Sequence, residues 1–342
     1  MNQYQNQHYI SRAFIKRFAD KKNGHVKRFN VKWGTWSSKS PRYVFSGFGF
    51  TQLLIEGEEL DNSLEIEFGK VESSLPITLA ALDKAATRPT TELPTRAYEN
   101  MCWYCAFLLC MSPFAKAKAP ADFLLNIHCD LANLKTEVLE KKWNMPAEEI
   151  EYYKREVALG KKLIFDAENY LQYLYRVQFI QMCKEMRKIY RFQTTWTVYN
   201  SPIDLPLSDI ALVEQPLVKE NSIRYALPIS PRLLLMGKVK MGANIEPFTQ
   251  TTINSGELSA QEADYWLHAI CASAVVQLAS KRQIAELPAI RQRASDMGIK
   301  FVKIKNLDAI KGAGTKVFNK KFFLRPVSQE EHDNFISTCV EK

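Results

Sequence analysis

No stretch of the 342 residues approaches the run of about 18 apolar residues that a membrane helix requires. The N-terminus carries Asn, Gln and His where a secretory leader is apolar. Both absences point to a cytoplasmic protein without a membrane partner. Phosphate-cradling and nucleophile motifs are also missing. GAGTK at 312–316 lacks the spacing, and the strand-before, helix-after setting, of a P-loop. The chain has no GxGxxG fingerprint and no GxSxG elbow. Cys102 and Cys105 form one CxxC within CWYC, but no second such pair and no His pair completes a zinc set. The preceding RAYENM reads as helix, not as the strand that leads into a redox CxxC. Internal repeats, heptads and low-complexity tracts are absent.

Seven cysteines are present: Cys102, Cys105, Cys110, Cys129, Cys183, Cys271 and Cys339. An odd count set mostly in apolar helical stretches reads as buried thiols in a reducing compartment. His128-Cys129-Asp130 reads as packing, because consecutive helix residues point in different directions.

Acidic residues are scarce where basic ones gather. From Lys281 to Arg325 twelve Lys and Arg face three acids, a net +9 that equals the charge of the whole chain. Such asymmetry fits an anionic partner, nucleic acid first, or else a solvated surface.

The apolar content of 46%, with 11% aromatic residues, is enough for a sizeable, ring-rich core. In NQHYISRAFIKRFAD, residues 6–20, Ile10, Phe14 and Phe18 recur at helical spacing with Ser11 as N-cap. Arg12, Lys16 and Arg17 point away from that stripe, and His8 and Tyr9 precede the first turn. That position suits an anion and disfavours the charged form of His8. Phe29, Val31 and Trp33 alternate as a strand. Leu60–Leu82 reads as a helix with Leu64, Phe68, Val71, Leu75 and Leu79 on one face. Tyr98–Ala119 reads as a core helix that Pro113 kinks or ends. Helices are also expected over Asp122–Trp143 and over Ala147–Arg191, the latter broken at Gly160. Thr194–Tyr199, Ile223–Leu227, Leu233–Met236 and Lys300–Lys305 read as strands. Gln261–Lys281 returns to helix behind a Ser259 cap. The expected fold is α+β: a predominantly helical body with a small mixed or antiparallel β-sheet built from N-terminal and C-terminal-half strands. One integrated domain is expected over 6–280, with 281–342 a basic C-terminal extension packed on it.

Several stretches in order resemble one bacterial family, numbered 4238 among the domains of unknown function. QHYISRAFIKRF is similar to its His-Tyr opening and the helix that follows. LEIEFGKVE is similar to its Glu-bearing helix, LPLSDIALV to its Ser-Asp segment, RYALPISPRLLL to its Pro-Leu-Ser-Pro stretch, and YWLHAICASAVV to its closing helix. The resemblance spans roughly residues 6 to 280. Ser11 and Ala211 stand where the family has Pro, and Met111 where it often has Arg. The resemblance implies a broad shape and candidate positions, and no particular reaction.

The candidate site joins His8, Glu65, Glu72 and Asp209. Glu65 and Glu72 lie two helical turns apart, so both can face one cleft. Asp209 follows a Pro- and Leu-rich run that leaves it at a strand end. Neutral imidazole and carboxylates can hold a divalent metal, Mg²⁺ or Mn²⁺. Beside a basic surface this suits metal-dependent hydrolysis of nucleic-acid or nucleotide phosphodiesters. In that reading His8 and Asp209 are catalytic, Glu65, Glu72 and Asp209 bind metal, and Arg12, Arg232, Lys303 and Lys305 hold phosphate. The alternative is a non-enzymatic module that binds nucleic acid or protein. In it Glu65 pairs with lysines, Asp209 accepts backbone N–H bonds in a Ser-Asp turn, and His8 caps or packs.

Overall fold

The computed structural model describes residues 6–48, 53–55, 60, 61, 63–112, 124, 126–143, 145–165, 182–240, 251–297, 299, 317, 318 and 324–339. Two sheets carry the main architecture. The larger has six strands: β7 (Thr90–Glu92), β9 (Thr194–Asn200), β11 (Val213–Leu217), β12 (Ser222–Ser230), β13 (Leu233–Lys240) and β14 (Thr252–Glu257). Their order is β11-β12-β13-β9-β14-β7. All neighbours are antiparallel except β14 and β9. The second sheet has the order β10-β15-β2-β3, from β2 (Val26–Asn30), β3 (Thr35–Lys39), β10 (Leu207–Ser208) and β15 (Gln277–Ser280). Smaller pairings join β1 (Asn6–His8) to β4 (Ser46–Phe48), and β8 (Lys162–Phe165) to β17 (Leu324–Val327). A further short sheet combines β5 (Leu53–Ile55), β6 (Leu60–Asp61) and β16 (Val317–Phe318).

Side chains alternate across the six-stranded sheet, as a two-residue period demands. Trp196, Val198, Tyr225, Leu227, Leu235 and Val239 face a core shared with α1 (Arg12–Ile15), α2 (Ser63–Ala85) and α3 (Thr95–Met111). Ala226, Leu234 and Met236 face the opposite core, which includes Phe29, Leu278 and Trp266 of the helix Ala260–Ser273. The sheet is thus covered on both sides. Gly237 pairs directly with Trp196 across β13 and β9. A Cβ at Gly237 would lie 2.7 Å from the Trp196 ring, so the ring occupies the space a side chain would need. A separate core unites the helices Thr136–Trp143 and Ala147–Ala158 with β8, β17 and the helix Gln329–Cys339.

The chain is α+β, but the expectation of a predominantly helical body with a small sheet is overturned. Sheets of six and four strands sit at its centre. Two short strands read as helix in the sequence, since periodicity alone does not separate a buried strand from a helix segment. Lys162–Phe165 is strand within the stretch read as one long helix, although the break at Gly160, where φ is +81°, is as expected. Gln277–Ser280 is strand where the helix was extended to Lys281. β12 and β13 outrun their expected limits, and β12 continues through Pro228, after which the register shifts before Ser230.

Other readings hold. α2 buries Phe68, Val71, Leu75 and Leu79. α3 ends at Met111, just before Ser112 and Pro113. Ser259 caps its helix through a full capping box with Glu262. Cys102, Cys105, Cys110, Cys183 and Cys271 are buried free thiols, whereas Cys129 is exposed. Lys300–Lys305 lies outside the described residues.

Candidate functional site

The N-terminal stretch forms a wall, not a long helix. β1 pairs Gln7 with Gly47 and His8 with Ser46. Ser11 then caps a helix of four residues, its side chain accepting the Ala13 N–H, and Lys16–Phe18 closes it as a 3₁₀ turn. Ile10, Phe14 and Phe18 are buried, as the spacing predicts. Phe14 packs on Tyr104 at 5.4 Å between ring centroids, and the Tyr104 hydroxyl accepts the Ser11 N–H at 3.2 Å. The segment is thereby fixed against α2 and α3. So short a helix gathers little dipole, so the expected pull of its N-terminus on an anion is a minor effect.

Between this wall and α2 lies a pocket of about 440 Å³ lined by His8, Arg12, Lys16, Glu65, Glu72 and Ser73, among others. On α2, the residues Glu65, Gly69, Glu72 and Ser73 share the face towards it, alongside the buried apolar stripe. The His8 Nε2 lies 3.2 Å from the Pro41 carbonyl oxygen. In the neutral tautomer that donates this bond, Nδ1 is the basic atom. Burial holds the imidazole below its ordinary value, and the Arg12 charge adds to this; the carbonyls of Pro41 and Arg42 oppose it. Burial pushes the Glu72 carboxyl up, and the Glu65 charge adds to that push. A hydrogen bond from Ser11 and the Arg12 charge work the other way. One pocket therefore holds an imidazole inclined to stay neutral and a carboxyl inclined to keep its proton.

Asp209 does not line the pocket. It is fully buried beyond the end of β10, where its carboxylate accepts the N–H groups of Val275 at 2.8 Å, Val276 at 2.5 Å and Gln277 at 2.9 Å. These bonds lower its pKa, but burial outweighs them and raises it to about 6. The turn-locking reading describes its contacts, and neither catalysis nor metal binding in this pocket can involve it directly. Arg232 also lies elsewhere: its Nε donates to Asp204 at 2.6 Å, and its Nη1 donates to the carbonyls of Ser201 and Pro202. Lys303 and Lys305 lie outside the described residues. Among the described residues no group of three or more His, Cys, Asp or Glu is placed to hold a metal ion, and no helix is long and apolar enough to cross a membrane. His128 serves packing, its Nε2 accepting the Leu163 N–H at 3.0 Å.

Asp209 touches the site indirectly. Gln277 Oε1 accepts the Phe45 N–H at 3.3 Å, and the Phe45 carbonyl accepts the Tyr9 N–H at 3.1 Å. Phe45 is fully buried with φ +52°, a left-handed conformation that is rare for a bulky residue. Sequence reasoning missed Ser11 as the partner of Glu72, and also missed Lys16 and Ser73. The signal was present in α2, where small or polar residues at 65, 69, 72 and 73 interleave with the apolar stripe.

A scan against protein-family models and searches of curated proteins and of solved structures find no match to this chain.

Proposed function

We propose that the protein hydrolyses phosphodiester bonds of nucleic acid or of a nucleotide, with the pocket between β1, α1 and α2 as its active site. The observation that carries this reading is that His8 and Glu72, perturbed in opposite directions, share one opening with Arg12 and Lys16. A base must be neutral and an acid protonated at one pH, and the downward shift of His8 and the upward shift of Glu72 each favour the form needed. Neutral His8 takes a proton from water as its oxygen attacks phosphorus. Glu72 gives its proton to the departing oxygen as the phosphorus–oxygen bond breaks. Arg12 and Lys16 balance the phosphate charge.

Glu65 and Glu72 also suit Mg²⁺ or Mn²⁺. Such ions take one or two carboxylates, with substrate phosphate oxygens and water completing the shell. A bound ion would polarise the phosphoryl oxygen. It requires ionised Glu72, so ion and proton compete for that carboxylate.

The test is cleavage of bis(p-nitrophenyl) phosphate and of labelled oligonucleotides, with added Mg²⁺ or Mn²⁺ and with chelator. His8→Ala and Glu72→Gln should each lower kcat by about 10²-fold or more, while Arg232→Ala keeps it. Oligonucleotide binding without cleavage under any of these conditions overturns the hydrolase and leaves the binding module.

A further inference from the structure

The β2–β3 hairpin runs from the pocket wall to an exposed tip. From Lys21 to Phe48 the chain holds seven Lys and Arg (Lys21, Lys22, Lys27, Arg28, Lys32, Lys39 and Arg42) and no Asp or Glu. Two large rings stand out of this basic stretch: Trp33 at the hairpin tip is 68% exposed, and Tyr43 beyond β3 is 55% exposed. Each carries its own cation. Lys32 Nζ lies 5.0 Å from the Trp33 ring centroid, and the Arg42 guanidinium lies 5.7 Å from that of Tyr43. β3 is the outermost strand of its sheet and connects the two rings. Its five residues span about 16 Å at roughly 3.3 Å each. The Tyr43 end joins the active-site wall, because Pro41 accepts the His8 bond.

We propose that this hairpin is a track for single-stranded nucleic acid leading to the pocket. The inference rests on the phosphodiesterase reading for what happens at the end of the track. Exposed rings beside cations, spaced along a strand free of acids, match the way unpaired bases stack while phosphates meet Lys and Arg. A duplex keeps its base faces within its own stack, so it meets only the cations. Their exposure shows that neither ring serves the core of this chain.

The test is fluorescence anisotropy of the full chain with a labelled single-stranded 20-mer and with a duplex of the same length, at low and physiological salt. The single strand should bind more tightly, and affinity should fall steeply with salt. Trp33→Ala and Tyr43→Ala should each weaken single-strand binding by about ten-fold, with the melting temperature unchanged. Leu159→Ala, at a site 75% exposed, is the control and should bind as wild type does. Equal affinity for duplex and single strand overturns the track, as does ring loss without effect. So does displacement of the oligonucleotide by polyglutamate or anionic vesicles at equal charge. The two readings fail separately: cleavage of bis(p-nitrophenyl) phosphate by a chain indifferent to strandedness ends the track alone, whereas ring-dependent single-strand binding with no cleavage ends the hydrolase alone.

Discussion

The Asp209 carboxylate accepts the backbone N–H of Val275 at 2.8 Å, across 66 residues of chain, and those of Val276 and Gln277 beside it. One buried side chain thus serves three N–H groups of a partly buried turn. Asp209→Asn keeps the shape but offers an amide donor where an acceptor stood. At least one buried N–H then loses its partner, and the expected cost is about 2–4 kcal/mol. Thermal or urea unfolding reads this directly. An unchanged midpoint together with lost cleavage would return Asp209 to the catalytic machinery.

The same carboxyl makes stability depend on pH. Its folded value of about 6 exceeds the ordinary 3.8, so the folded chain holds this proton more tightly than the unfolded one. The stabilisation is complete below about pH 3.8 and is lost as pH rises through about 6. A gap of this size corresponds to about 3 kcal/mol. Between about pH 4 and 7, wild type should lose stability relative to Asp209→Asn, in urea titrations at a series of pH values. Parallel curves contradict the shift.

Much of the local structure was legible in the sequence, and its assembly was not. The Ser11 and Ser259 caps, the stripe of α2 and the strand Thr194–Tyr199 follow from spacing and from residue type. His8 and the Glu65–Glu72 pair were legible as candidates, because two acids at positions 65 and 72 must share a helix face. That Asp209 would be turned inward was not, since a Ser-Asp turn at a strand end looks the same whether its carboxylate meets solvent or three backbone N–H groups. The six-stranded sheet was hidden for a related reason. Its strands come from segments as distant as Thr90 and Thr252, and a strand as short as Thr90–Glu92 carries no period of its own.

Activity should follow a bell in pH. His8 must be neutral and Glu72 protonated, with the first lowered from 6.5 and the second raised from 4.5. Each shift favours the form its role requires, so one limb should come from each group. A kcat/KM profile measures them, and Glu72→Gln should abolish one limb. A flat profile rejects the acid–base pair.

Ser11 serves two masters, the first turn of α1 and the Glu72 carboxylate. Ser11→Ala should cost about 0.5–2 kcal/mol of stability through the lost cap. It also removes a bond that favours ionised Glu72, so the limb set by Glu72 should move upward. A stability loss with an unmoved limb separates the cap from the carboxylate.

Gly237→Ala would force a methyl group into the Trp196 ring, 2.7 Å from the nearest ring carbon. Backbone and ring must shift at the centre of the sheet, at an expected cost of about 1–3 kcal/mol. Tryptophan fluorescence and melting temperature report it together, and an unchanged melting temperature counts against the close approach.

The left-handed Phe45 has a consequence for how the pocket comes into being. Every residue named in its lining is synthesised by position 73, yet the wall that carries His8 hangs on Phe45, which in turn leans on Gln277. A nascent chain that has not reached Gln277 carries the residues of the pocket without the side chain that holds Phe45. Under the proposed function, activity would await synthesis of the far half of the polypeptide.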